Sequence, residues 1–456
     1  MNLKITCCTL VLFAFGYAQG QNFHIDDYLN DPQGITFTKI GVQADGLDSP
    51  VDLDYNPNQP DEWWVINMRT ENTGGSTVTY QNVGGSNQKA IFKVDGNAWH
   101  FMSLPTALAF GTNGSWGSSP GVFDANHSNG ARPPFTGPSL WSSDLTIYAE
   151  DPGPGKNGSH LDMLHGSPHC MGIAWETDNK YWVFDGQYRH PVMYDFAIDH
   201  GPGNSWHDDG RVRRYQEVVL QRSGMTPSHM ALDKAKKWLY INNNGTGEIL
   251  RMDITSGQVK GASSISAPER LAENVDVEGV TYETISSGDA TLLCGLDVTD
   301  DRLLVSDHGK GEILVYDITK SGFPLLGKIT VPNKYIMGIR IGPDGRIWYV
   351  DKLNKEFVRM DHNQFAYTGI QENAEQVEFK IYPAPMQDFL NIEADQSLEN
   401  LTVTVAHING QTVLEKNLEV LDYRQTLDVS TLESGLFVIT ISQENTVISR
   451  SKIIKQ

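Results

Sequence analysis

Cys170-Met-Gly-Ile-Ala174, a polar turn, then Tyr181-Trp-Val-Phe-Asp185 reads as a short strand with a small residue near its start, a bend, and a second strand ending on a carboxylate. The phrase returns as His229-Met-Ala-Leu232 with Trp238-Leu-Tyr-Ile-Asn242, as Cys294-Gly-Leu296 with Leu303-Leu-Val-Ser-Asp307, and as Met337-Gly-Ile-Arg340 with Ile347-Trp-Tyr-Val-Asp351. An earlier copy runs Pro50-Val-Asp-Leu53 and Trp63-Trp-Val-Ile-Asn67, and Pro105-Thr-Ala-Leu-Ala-Phe110 opens a sixth. Third strands follow, such as Pro191-Val-Met-Tyr-Asp195 and Glu312-Ile-Leu-Val-Tyr-Asp317. Self-similarity at this period marks sheets repeated around an axis. The expectation is an all-β fold, a six-bladed β-propeller over residues 22–370, followed by a small β-sandwich. Blades converge on the axis, so innermost strands need small residues, which Gly172, Ala231, Gly295 and Gly338 supply. Ile35-Thr-Phe-Thr-Lys-Ile40 is expected to close the ring as outer strand of the last blade, which removes an open edge.

The 456 residues exceed one ordinary core and suit two folded units. Asp and Glu number 56 against 35 Lys and Arg, a formal net charge of -21, so phosphate backbones and anionic membranes are repelled and nucleic acid is excluded as a partner. Residues 1–18 carry Lys4, an apolar run and a small-x-small ending, the pattern of a cleavable export signal. Cys7 and Cys8 precede the apolar run, which argues against a lipoprotein anchor, and no other stretch has the apolar length of a membrane span. Cys170 and Cys294 sit a whole blade apart in the repeat, so buried thiols are expected rather than a disulfide.

The repeated phrase resembles the six-bladed propellers of the NHL-repeat and SMP-30-like group. Blade two departs from it with a Gly, Ser and Pro-rich insertion from about Gly111 to Pro138. After a linker at 371–378 the character changes: Tyr382-Pro-Ala-Pro385, Leu390-Asn-Ile392, Val403-Thr-Val405 and Gly435-Leu-Phe-Val-Ile-Thr-Ile441 alternate with turn residues. Residues 379–456 thereby resemble the C-terminal sorting domain of type IX secretion cargo from Bacteroidota, with Tyr-Pro-Ala-Pro where that family usually has Tyr-Pro-Asn-Pro. The resemblance implies the type IX secretion machinery as a partner, and a secreted or outer-surface location.

The topology sends the loop before the first strand and the loop after the second to one mouth. That mouth is expected to receive His165, His169, Tyr188, Arg189, His229 and His308. Imidazoles from adjacent blades suit Zn or Cu better than Ca or Mg, so His169 and His229, with His165 or His308, are the candidate ligands. Phe184-Asp-Gly-Gln-Tyr-Arg189 is also similar to the Asp-Gly-Tyr loop of peptidyl-hydroxyglycine amidating lyases. That likeness implies Tyr188 as general base and Arg189 as oxyanion partner, although a Gln interrupts the motif. Asp199-His-Gly-Pro-Gly-Asn-Ser-Trp-His-Asp-Asp-Gly210 falls at the opposite rim, and its carboxylates suit Ca. Trp116 and Trp206, in Gly-rich surroundings, are candidates for stacking on sugar rings. No nucleophile elbow, phosphate loop or paired-Cys motif is present in the sequence. Two functions remain open: a surface propeller binding an extracellular glycan, peptide or protein, through the mouth or the blade-two insertion, and a metal-dependent lyase or hydrolase at the mouth.

Overall fold

Trp63 and Val65 pack toward the last blade while their neighbours Trp64 and Ile66 pack toward the second. Successive side chains of a strand point to opposite faces, and both faces of a blade are buried, which is why the second strands read as unbroken apolar runs. The computed structural model describes residues 24–128, 134–204, 206–363, 379–383, 385–394, 397–407, 412–443 and 446–455. The expected export signal and the linker lie outside the described residues.

The first unit is a β-propeller. Blade 1 comprises Pro50–Asn56, Gln59–Thr70, Gly74–Gln81 and Lys89–Lys93, in that order from the axis outward. Blade 4 (Met230–Asp233, Trp238–Asn243, Glu248–Asp253, Tyr282–Ser287) and blade 5 (Leu293–Val298, Arg302–Asp307, Glu312–Asp317, Leu325–Thr330) repeat that order. Blade 6 takes three strands from Ile336–Ile341, Ile347–Asp351 and Glu356–His362, and its fourth from Ile35–Gly41, paired antiparallel from Ile35 opposite His362 to Gly41 opposite Phe357. The early segment therefore closes the ring as its sequence indicated. Apolar clusters lie at each of the six junctions between consecutive blades, including the one from the last blade back to the first. Close approach at the axis is literal: a Cβ on Gly338 would stand 2.3 Å from an Asp52 carboxylate oxygen, and one on Gly172 would stand 2.2 Å from Ser228 O.

Two blades depart from the pattern. In blade 2 (Pro105–Phe110, Ser115–Pro120, Ser139–Ser142, Asp162–Met163) the second strand is Ser-Trp-Gly-Ser-Ser-Pro, inside the stretch expected to be insertion. Its small residues hid it from any periodicity argument, yet a Cβ on Gly117 would approach Tyr181 of blade 3 to 2.9 Å. Trp116 is fully buried, its Nε1 donates to Ser142 O and its ring stacks on Trp141, so it is core rather than a sugar platform. Among the described residues of the rest of the insertion, Asp124 accepts the backbone amides of Asn126, Ser128 and Phe135. In blade 3 (Cys170–Thr177, Lys180–Asp185, His190–Asp195, Arg211–Arg214) the outer edge is extended. A hairpin inserted in blade 4, Gln258–Ala262 and Glu273–Glu278, crosses over and pairs Glu273–Asp276 in parallel with Arg211–Arg214. Cys170 and Cys294 are buried free thiols.

The second unit begins at Ala366. A three-stranded sheet (Phe379–Tyr382, Phe389–Ala394, Arg424–Asp428) and a four-stranded one (Leu398–His407, Thr412–Leu421, Gly435–Gln443, Thr446–Lys455) share a core of Leu390, Ile392, Val403, Val405, Phe437, Ile439 and Ile441. Among the described residues no helix is long and apolar enough to cross a membrane.

Candidate functional site

Inner strands of all six blades line a cavity of about 420 Å³ at the end of the axis where those strands finish. That end is opposite the mouth expected from the loops. Asp54, Asp297 and Arg340 stand two residues beyond Asp52, Gly295 and Gly338, the positions where the inner strands crowd together. Arg340 Nε lies 3.3 Å from Asp54 Oδ1 and its Nη1 lies 3.6 Å from Asp297 Oδ1. Both carboxylates also accept backbone amides across blade junctions, Asp54 from Phe110 and Asp297 from Ile341. The guanidinium itself makes ion pairs but no hydrogen bond among the described residues, and the buried Nε meets Asp54 only as an ion pair. Burial pushes the Asp54 carboxyl up to about 6 and raises Asp297, with Arg340 pulling the other way. At the cavity wall the Lys234 ammonium sits 3.1 Å from the centre of the Trp175 ring, and desolvation there lowers it to about 8 although the residue as a whole is exposed.

The expected mouth is differently organised. His229 is buried within it, with Nε2 donating to Thr106 O of blade 2 and Nδ1 3.4 Å from Asp52 Oδ1 of blade 1. It thereby ties its own blade to the inner strands of blades 1 and 2. His169 Nδ1 donates to Gly121 O and His308 Nδ1 donates to Ile336 O. Burial lowers the pKa of all three histidines. Among the described residues no three of His165, His169, His229 and His308 bring ligand atoms together. Asp307 is spent on the amides of Thr291, Leu292 and Gly309. Arg189 donates to Leu220 O and to Gln221, and the exposed Tyr188 ring lies 5.8 Å from the Arg214 guanidinium.

His165 instead joins residues from two departures in the repeat. It follows the outermost strand of blade 2 and meets His207, from the loop preceding Arg211–Arg214, and Glu269, from the turn of the crossing hairpin. These three line a second cavity of about 300 Å³ together with His100, His160, Phe101 and Phe135. His165 Nδ1 is 2.8 Å from Glu269 Oε2, and Glu269 Oε1 accepts the His165 amide at 2.7 Å. His207 Nδ1 is 2.5 Å from Asp162 Oδ1. Burial lowers His165 and would lower His207, but the Asp162 carboxylate raises His207. Burial also brings His100 down to about 4 and His160 to about 3. The loop expected to hold Ca spends its acids singly: Asp209 pairs with His200 and Asp208 with Arg270, while Trp206 is exposed and lies edge-on to His200.

Of the residues lining the two cavities, the sequence alone points to His165; Asp54, Lys234, Asp297, Arg340, His207 and Glu269 come together only in the fold. For Arg340 the signal existed, because a long cation at an axis-facing position of a converging strand needs acceptors there. For Glu269 there was none.

The class is an all-β propeller carrying a sorting domain. Residues 380–456 match the family model of the secretion system C-terminal sorting domain. No curated protein matches the chain. Solved structures with a similar fold include an auxiliary nutrient binding protein from Bacteroides ovatus (12% identity, covering 72% of this chain and 76% of that one, TM-score 0.44). A streptogramin B lyase (10%, 73% and 99%, TM-score 0.43) and the periplasmic gluconolactonase of Pseudomonas aeruginosa (10%, 89% and 88%, TM-score 0.42) are others.

Proposed function

We propose that this chain is an exported propeller that binds a small polar extracellular ligand, of glycan or peptide class, in the axial cavity. The tail implies the type IX secretion machinery and a secreted or outer-surface location. The carrying observation is the Arg340 guanidinium, desolvated beside two carboxylates, without a hydrogen bond and lining a cavity to which every blade contributes. A guanidinium presents five donors in a fixed fork, so a ligand carboxylate or pair of hydroxyls satisfies what the protein leaves unmet. Lys234 offers a second cation at the same wall. About 420 Å³ accommodates a mono- or disaccharide or a dipeptide and is too small for a folded partner.

The test is a thermal-shift screen of the full chain against monosaccharides, uronic acids, disaccharides and dipeptides, with calorimetric titration of any hit. Lys234→Met should weaken that hit about tenfold, and His207→Ala should leave it unchanged. A hit indifferent to Lys234→Met, or one abolished only by trimming the loop after Pro120, overturns the proposal. Such trimming must spare Ser115–Pro120, which is a blade strand.

A further inference from the structure

We infer that the blade 2–blade 3 pocket is a transition-metal site, with a Zn²⁺-class ion held by His165, His207 and Glu269 and one coordination position facing the cavity. Each of the three residues offers a ligand atom, and those atoms lie within 4.8 Å of one another. Donors in a tetrahedral zinc shell stand about 3.3 Å apart, so a small inward movement of side chains completes the geometry. His207 is already aimed. Its Nδ1 is engaged by Asp162 Oδ1 at 2.5 Å, which directs Nε2 toward Glu269 Oε2, 4.0 Å away. A buried carboxylate gripping the far nitrogen of an imidazole is the outer-sphere support that fixes tautomer and ring orientation for a metal.

The cluster also leaves a buried nitrogen without a protein partner. His165 Nε2 has no hydrogen-bond partner among the described residues although the residue is 1% exposed. A buried imidazole nitrogen facing a cavity without a partner is costly to leave unmet and calls for a ligand. Phe135 stacks on His165 at 3.4 Å and Phe101 on His160 at 3.6 Å, which locks the rings and keeps the surroundings poorly hydrated. Two imidazoles and one carboxylate select a borderline ion over Ca²⁺ or Mg²⁺, which want oxygen shells. Three protein donors leave a position for water or a bound molecule in the roughly 300 Å³ space.

The experiment uses the full chain stripped with a chelator and dialysed, titrated with Zn²⁺ by calorimetry and with Co²⁺ by visible absorption. One Zn²⁺ per chain and the intense d–d bands of four-coordinate Co²⁺ are expected, uncompeted by excess Ca²⁺ or Mg²⁺. Glu269→Gln and His207→Ala should weaken Zn²⁺ more than about 100-fold, and Asp162→Asn about 10- to 100-fold, with Co²⁺ bands altered. Far-UV circular dichroism checks each variant, and Glu269→Gln decides the matter if His207→Ala does not fold. No stoichiometric Zn²⁺ in the parent, a six-coordinate Co²⁺ spectrum, or unchanged affinity in Glu269→Gln overturns the inference. Lys234→Met should bind Zn²⁺ like the parent, which separates this site from the axial one.

Discussion

The axial cavity and the blade 2–blade 3 pocket are polar spaces in one ring, built in opposite ways. The axial groups occupy equivalent positions of repeated strands: Asp54, Asp297 and Arg340 are what three blades place where Ala109 and Ala174 stand in two others. The pocket is built from what the repeat does not contain: a shortened outer strand, a long loop and a hairpin borrowed from blade 4. In the axial cluster one guanidinium is set in ion pairs between two carboxylates, whereas in the pocket the buried His165 Nε2 has no charged or hydrogen-bonding partner among the described residues. Repetition thus supplies an ion-paired cluster at equivalent strand positions, and departures from it supply the imidazoles.

The contrast is broken most forcefully at Arg340. Arg340→Met leaves Asp54 and Asp297 buried without their cation, and urea unfolding should show a loss of about 3–5 kcal/mol. A loss below about 1 kcal/mol would mean the axial cluster is solvated. Next is pH. The folded-state carboxyl of Asp54 is raised by burial to about 6 from 3.8, so the native chain holds this proton more tightly than the unfolded one. Its contribution is complete below about pH 3.8 and disappears as pH climbs through 6, about 3 kcal/mol in all. Denaturation midpoints from pH 4 to 7 should therefore slope less in Asp54→Asn; equal slopes would remove Asp54 as the source. In the metal-free pocket Glu269→Gln loses a charge-assisted contact to His165, and about 1–2 kcal/mol is expected by the same urea assay. A cost as large as that of Arg340→Met would make Glu269 a structural keystone and erase the distinction between the two cavities. Smallest is Lys234→Met, about 0.5–1 kcal/mol for a cation over an aromatic ring at the surface. A larger destabilisation would show that Lys234 belongs to the compensated cluster.

Legibility followed the same division. Inner strands, polar hairpins and the closing segment Ile35–Gly41 were readable because convergence on an axis demands small residues and two-sided burial demands apolar runs. The second strand of blade 2 was not, since Ser115–Pro120 has neither alternation nor bulk and is held in place by Trp116 and by its neighbours. The sorting sandwich was readable from its motifs. At the mouth, sequence placed histidines on the proper loops but said nothing of their rotamers, and His229 turned inward to bridge Asp52 and Thr106. The pocket required knowing that a hairpin leaves its own blade for the next, and no local pattern near Glu269 encodes that journey.

Closure by Ile35–Gly41 against Glu356–His362 also sets a timetable. In synthesis order the first strand of the ring is its last to find a partner, because that partner is the final strand of the propeller. Until then the Ile35–Gly41 segment and the Glu356–His362 edge of blade 6 are both unpaired, open to pairing with another chain. A nascent or truncated molecule that stops short of residue 362 is therefore an unclasped bracelet, and its two free ends are where self-association should begin.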